Sequence, residues 1–260
     1  MAGGAVLVER DGTIATVTLS SPGRLNALDK SMWAQLGAAM QSLSADDTLR
    51  CVVLRGAGDK AFAAGADIAE FHAERANSAQ ARAYSRGGIG RLGAVAECRH
   101  PTVALIQGAC VGGGLLIASQ CDLRIANASS RFGVPVKNLG LTESYDELRA
   151  MMGVVGPAAS LELLLEGRIW SAGEAYEKGL VSRVVPDAEV VDEAYATARR
   201  IAEGAPLVAR WHKKFVRRLL DPRPLTEAEY DEGYACFDTE DFRAGVAAFL
   251  AKRKPEFSGR

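Results

Sequence analysis

Two stretches of small residues, 61–68 (AFAAGADI) and 108–118 (GACVGGGLLIA), each follow a β-prone run and place main-chain N–H groups beside space that side chains leave empty. Without a Cβ, a ligand oxygen can approach the backbone, and the first N–H groups of a helix have no acceptor inside that helix. The combination suits an anion or a polarised carbonyl oxygen. Two such N–H groups aimed at one oxygen make an oxyanion hole, from which the loss of one donor costs roughly 10²–10³ in rate. The same glycines would equally serve tight strand-to-helix turns, so residue types alone leave both readings open.

Acidic chemistry is concentrated at 140–149 (GLTESYDELR). Ser144 and Glu147 have the spacing of a capping box, and Asp146 would sit in the first turn of the helix that follows. Those acids have structural work, whereas Glu143 lies just outside the cap with no local partner. Tyr145 is expected to pack the new helix with its hydroxyl at the surface, and it is the second candidate for chemistry. Other motifs are weaker. Gly88, Gly90 and Gly93 satisfy GxGxxG, but no strand precedes them and no βαβ unit with a terminal acid follows. There is no GxxxxGK[ST] loop and no GxSxG elbow. His72, His100 and His212 lie far apart without metal-ligand spacing, so no metal is expected.

The elements that must hold these segments are legible as alternation followed by helices. Residues 5–10 and 13–19 are β-prone and flank Asp11-Gly12, a hairpin signal. Asp29 can cap a helix over 30–43, in which Met32, Leu36, Ala39, Met40 and Leu43 recur at helical spacing. Strands are expected at 51–55, 102–107 and 121–126, with an apolar helix after Gly112-Gly113-Gly114, which together mean α/β. From about 144 the pattern is helical, with segments near 145–152, 157–165, 172–178, 187–203, 206–220, 226–235 and 239–253.

Composition narrows the class. The 260 residues are 48% hydrophobic and 24% charged, with a net charge of −1, so neither a membrane span nor nucleic acid is a natural partner. The five cysteines are odd in number and contain no CxxC pair, which suits reduced thiols. No basic segment with an apolar core and a small-residue cleavage site opens the sequence, so a cytoplasmic location is expected.

With these segments, and with 21–29 (SPGRLNALD), 61–70 (AFAAGADIAE), 105–122 (LIQGACVGGGLLIASQCD), Phe132-Gly133, 164–181 (LLEGRIWSAGEAYEKGLV) and 248–257 (AFLAKRKPEF), the chain resembles the enoyl-CoA hydratase/isomerase (crotonase) family over nearly its whole length. The resemblance implies a core of repeated ββα units over 1–195 and a helical region over 196–260 for trimerisation and coenzyme contact, integrated as one domain. It further implies a homotrimer or homohexamer, a coenzyme A thioester as substrate and no permanently bound cofactor. By the same resemblance Ala64 and Gly113 supply the oxyanion-hole N–H groups. Asn26, Ala27, Leu28, Ala66, Asp67 and Ile68 line the coenzyme, Arg24 meets a phosphate, and Phe249 and Lys252 reach the nucleotide from the last helix. Lys252 also fits a solvated helix end whose cations complement the dipole.

The chain departs from the hydratases of that family. Their two glutamates fall on Leu116 and Val136 here, and neither can move a proton. Acyl-CoA binding with enolate stabilisation is therefore implied more firmly than hydration, with decarboxylation, carbon–carbon cleavage, thioester hydrolysis and non-catalytic binding as alternatives. In decarboxylases and dihydroxynaphthoyl-CoA synthases of the family the position of Glu143 carries a tyrosine or aspartate at the acyl pocket, so Glu143 is the expected replacement acid. His72 and Tyr84 fall in the variable wall of that pocket, and residues 86–93 put glycines where a pocket helix is expected.

Overall fold

In the computed structural model, which describes residues 3–87 and 92–260, the hairpin β1 (Ala5–Asp11) and β2 (Ile14–Ser20) opens a six-stranded sheet. Its turn is Gly12-Thr13, one residue later than the sequence signal, because Asp11 pairs with Ile14; Gly12 takes the left-handed φ of 55° that the tight turn needs. β3 (Cys51–Gly56), β5 (Thr102–Ile106), β7 (Leu123–Asn127) and β10 (Arg183–Val185) continue the sheet in parallel, in the order β1-β2-β3-β5-β7-β10. A second sheet holds the short strands β4 (Ala61–Ala63), β6 (Ala109–Val111), β8 (Arg131–Gly133) and β9 (Trp170–Ser171). Each of β3, β5 and β7 is followed by a short strand of the second sheet, so the expected α/β core of repeated ββα units is present.

Helices fill the remainder: α1 (Lys30–Ala45), α2 (Phe71–Glu74), α3 (Ser78–Gly87), α4 (Gly93–Glu97), α5 (Gly113–Gln120), α6 (Tyr145–Glu166), α7 (Ala172–Glu177), α8 (Val190–Ala202), α9 (Pro206–Arg218), α10 (Glu227–Glu232) and α11 (Glu240–Leu250). Of the GxGxxG run, Gly88 and Gly90 lie outside the described residues and Gly93 begins α4. Asp29 caps α1 by accepting from the Met32 N–H at 2.8 Å. The capping box of α6 closes both ways, with Ser144 Oγ accepting from Glu147 N–H at 3.4 Å and Glu147 accepting from Ser144 N–H at 2.7 Å.

The inner parallel strands of the main sheet bury both faces and alternate between two cores, whereas most of β1 is exposed. Val52, Leu54, Ala104, Ile106 and Ala126 face one, with Trp33, Phe62 and Leu116; Cys51, Val53, Val103, Leu105 and Ile125 face the other, closed by Val190, Ala194 and Ala198 of α8. The division expected at 195/196 therefore cuts a helix that seals the sheet, and the core extends through α8. α6 is long and apolar enough by composition to cross a membrane. However, Gly156 (φ 74°, ψ 173°) breaks it into two pieces, each well short of the ~20 residues a span requires. The five cysteines are all unpaired.

Candidate active site

Two chain reversals bring unused amides together. After β4, Gly65 turns with φ 103° and Ala66 bridges Leu28 in parallel: Leu28 N–H donates to Gly65 O and Asp67 N–H to Leu28 O, both at 2.8 Å. After β6, Gly112 turns with φ 52° and Gly113 becomes the first residue of α5. A Cβ placed on Gly113 would lie 3.5 Å from Ala66 N, and one on Gly65 would lie 3.3 Å from Gly113 N. Neither Ala66 N–H nor Gly113 N–H has a backbone acceptor among the described residues. The ring of buried Trp33 forms the floor, 3.0 Å from a Cβ on Gly113.

Ala64, the expected partner of Gly113, is not available. Its N–H donates to Leu25 O at 3.0 Å, so the free amide facing Gly113 is that of Ala66. The strand geometry explains the shift. Ala64 directly follows β4 and its N–H is taken by the 25–28 loop, whereas the left-handed Gly65 turns the next amide outward.

The expected coenzyme-lining residues gather around the same loop but do different work. Asn26 is buried, and its amide donates to Ala57 O at 3.0 Å and Ala61 O at 2.8 Å while its Oδ1 accepts from Ser21 N–H, so any ligand contact would fall to its main chain. Leu28 is fully buried and Ala27 half-buried, while Ile68 is exposed. Arg24 pairs with Asp67, which also caps the Ile68–Glu70 turn by accepting from Ala69 N–H at 3.1 Å. Phe249 stands 82% exposed at the end of α11, and Lys252 follows with a left-handed φ of 53°, so these two remain open to whatever approaches that helix.

The other residues expected at the acyl pocket are apolar or acidic. Leu116 is buried and Val136 packs against the same cluster, which also contains Tyr84. Glu143 is half-buried; burial, the charge of Glu147 and a hydrogen bond from its protonated form to Glu147 push it up to about 7, with Arg75 pulling the other way. A carboxyl group in that range can serve as acid or base. Arg75 was not anticipated from sequence. It stacks over Phe71 at 4.6 Å and Tyr84 at 4.0 Å, and only its spacing of four from Phe71 signalled a shared helical face. His72 is exposed.

Tyr145 is 89% exposed and lines a cavity of about 1890 Å³ between the first turns of α6 and the end of α9, whose walls include Ser85, Glu147, Arg217 and Leu220 but not Ala66, Gly113 or Glu143. Glu143, unlike Tyr145, has Arg75 within electrostatic reach. No cluster of metal-ligating side chains occurs among the described residues.

Residues 9–260 match the family model described as enoyl-CoA hydratase/isomerase. The chain is 35% identical to a "Probable enoyl-CoA hydratase echA8" of Mycobacterium bovis and 36% identical to a "Probable enoyl-CoA hydratase" of Rhizobium meliloti, with 98% of each chain covered in both cases. A crystal structure of an "enoyl-CoA hydratase/ carnithine racemase" from Magnetospirillum magneticum superposes with a TM-score of 0.96 at 51% identity, covering 98% of this chain and 96% of that one. With its paired ββα sheets, its convergent amides and these relatives, the chain belongs to the enoyl-CoA hydratase/isomerase (crotonase) family.

Proposed function

We propose that the chain is an enzyme that binds an acyl-coenzyme A thioester with its carbonyl oxygen between the N–H groups of Ala66 and Gly113, stabilises the enolate there, and moves the α-proton with Glu143. The observation that carries this reading is the pair of unsatisfied amides facing each other across two glycine turns. Such donors are fixed before reaction and aimed where negative charge develops, which is why they lower the barrier more than water can. Glu143 supplies the proton transfer that Leu116 and Val136 cannot, so ordinary hydration is not the main reaction. Thioester hydrolysis, decarboxylation and carbon–carbon cleavage all share the enolate or its tetrahedral equivalent. No resident cofactor or metal is needed for any of them.

The exposed Phe249, Leu250 and Val246 of α11 support a trimer or pair of trimers, with α11 reaching a neighbour's nucleotide. The unpaired cysteines suit a cytoplasmic setting. The decisive test is α-hydrogen exchange in heavy water, followed by mass spectrometry across a panel of acyl-CoAs. Exchange with at least one thioester, together with crotonyl-CoA hydration far below the roughly 10⁸ per molar per second of the fastest enzymes, is expected. Binding without any exchange or turnover would identify a non-catalytic binder instead.

A further inference from the structure

The least exposed positions of α11 are Asp241, Ala244, Gly245 and Ala248, a carboxylate and three small residues at helical spacing, while Phe242, Val246, Phe249 and Leu250 are exposed. The chain that follows the helix lies on that narrow face. Lys252, at a φ of 53°, reverses its direction, Arg253 N–H donates to Ala248 O at 3.0 Å, and residues 253–260 run back along α11 toward its first turn. Pro255, Phe257 and Gly259 are half-buried and alternate with exposed neighbours, the pattern of an extended segment with one face turned inward. The Phe257 ring packs where a Cβ on Gly245 would meet it at 3.4 Å.

Two charged side chains fasten this segment. Asp241, only 2% exposed, accepts from Ser258 N–H at 2.7 Å and from Gly259 N–H at 3.0 Å. Its own N–H, a first-turn donor with no acceptor inside the helix, goes to Arg260 O at 3.1 Å. Amides on a carboxylate make charge-assisted bonds, stronger than neutral ones, and a carboxylate this buried depends on them. Arg50, immediately before β3, divides its guanidinium between Ala202 O at the end of α8, at 2.9 Å, and Phe257 O. Gly259, with φ 81°, comes so close to the first residue of α9 that a Cβ would lie 3.0 Å from Pro206 Cγ. Residues 253–260 thus tie α11 to the start of β3, the end of α8 and the start of α9.

We propose, on the basis of the acyl-CoA reading above, in which Phe249 and Lys252 reach the nucleotide, that residues 253–260 are a strap holding α11 in one place, and that Arg50 and Asp241 are positioning residues for coenzyme recognition. Neither belongs to the site of Ala66 and Gly113. They act through the strap on Phe249 and Lys252, to which the left-handed turn at Lys252 joins it directly. Loosening the strap lowers the fraction of molecules in which α11 stands ready for the nucleotide, and the apparent affinity falls by that fraction.

The test compares butyryl-CoA with S-butyryl-pantetheine, which carries the thioester without the nucleotide, by calorimetry on wild type, Asp241→Asn, Arg50→Gln and a variant lacking residues 255–260. Wild type should prefer butyryl-CoA. Each variant should weaken butyryl-CoA by roughly 10-fold, the loss produced when the docked fraction falls to about a tenth, and leave the pantetheine thioester unchanged. Arg50→Lys should recover part of the loss, because an ammonium can keep one of the two carbonyls but not both. Equal losses for the two thioesters, or wild-type affinity for butyryl-CoA in the variants, would overturn the assignment. Amide hydrogen exchange on wild type asks the same question without a variant. Butyryl-CoA should slow exchange in 240–250 and 253–260 together and the pantetheine thioester in neither, whereas protection of 240–250 alone would rule out the strap. Equal wild-type affinity for both thioesters would remove the nucleotide role of α11 and leave the thioester site intact. Failure of both to bind would remove the acyl-CoA reading itself.

Discussion

Glu143 and Glu147 face one another across the start of α6, and the negative charge of Glu147 adds to burial in pushing Glu143 up to about 7, while Glu147 stays anchored on Ser144 N–H at 2.7 Å. The capping box thus holds one carboxylate still, and the other is tuned against it. A general base must be deprotonated, so α-hydrogen exchange should rise with pH around a midpoint near 7 and level off above it. Glu143→Gln should lower exchange by about 10²–10⁴ and remove the midpoint, with coenzyme A affinity unchanged. Wild-type rates in the glutamine variant would return Glu143 to the status of a loop residue.

The same shift makes a stability statement. The folded value, about 7, lies above the unfolded value of 4.5, so the folded state holds the extra proton between those limits. Its favourable contribution is complete below pH 4.5 and is lost as the pH rises through 7. At pH 8 wild type carries a desolvated charge that Glu143→Gln does not. The variant should be more stable there by on the order of 1–3 kcal/mol, with the gap closing toward pH 4, as read by urea denaturation at both values.

Adjacent glycines should fail in different ways. A Cβ on Gly113 would enter the space beside Ala66 N, 3.0 Å from the Trp33 ring, whereas one on Gly114 would sit 2.2 Å from Ala63 O. Gly113→Ala is expected to cut turnover by roughly 10²–10³ through displacement of the thioester oxygen, with a modest loss of stability. Gly114→Ala must move backbone and should lose about 3 kcal/mol or fail to fold. Thermal melts beside exchange assays separate the two, and equal activity loss at equal stability would argue against the amide pair.

Asp122 ties α9 to the main sheet. It accepts from Thr102 N–H at 2.7 Å, and its two oxygens meet Lys213 at 2.8 Å and Arg217 at 2.9 Å. Burial would push this acid up, but Lys213 and Arg217 outweigh it and hold it below the usual carboxylate range. A depressed value stabilises above the unfolded 3.8 and is lost as pH falls through the folded value, so this clamp loosens only in strong acid. Asp122→Ala leaves Lys213, whose side chain is 6% exposed, without its partner. It should cost about 3–5 kcal/mol in chemical denaturation at neutral pH.

Much of this molecule was legible in one dimension because the determining contacts are local. Asp29 and the Ser144–Glu147 box cap helices through groups three residues apart, and the alternation of β3 and β5 between two cores follows from the period of a strand. The two glycine stretches and the isolation of Glu143 were equally visible. Three matters belonged to the tertiary structure. Whether Ala64 or Ala66 offers a free amide depends on Leu25, a loop distant in sequence that takes the first and leaves the second. The end of the core depends on α8 packing across the sheet, which no composition shift marks. Arg75 is an exposed-type residue by sequence, and only the approach of Tyr84 from α3 gives its guanidinium a second ring to stack on. Hydrogen-bond satisfaction is a property of everything that surrounds a group, so sequence can nominate donors and acids, and folding alone decides which of them remain unspent.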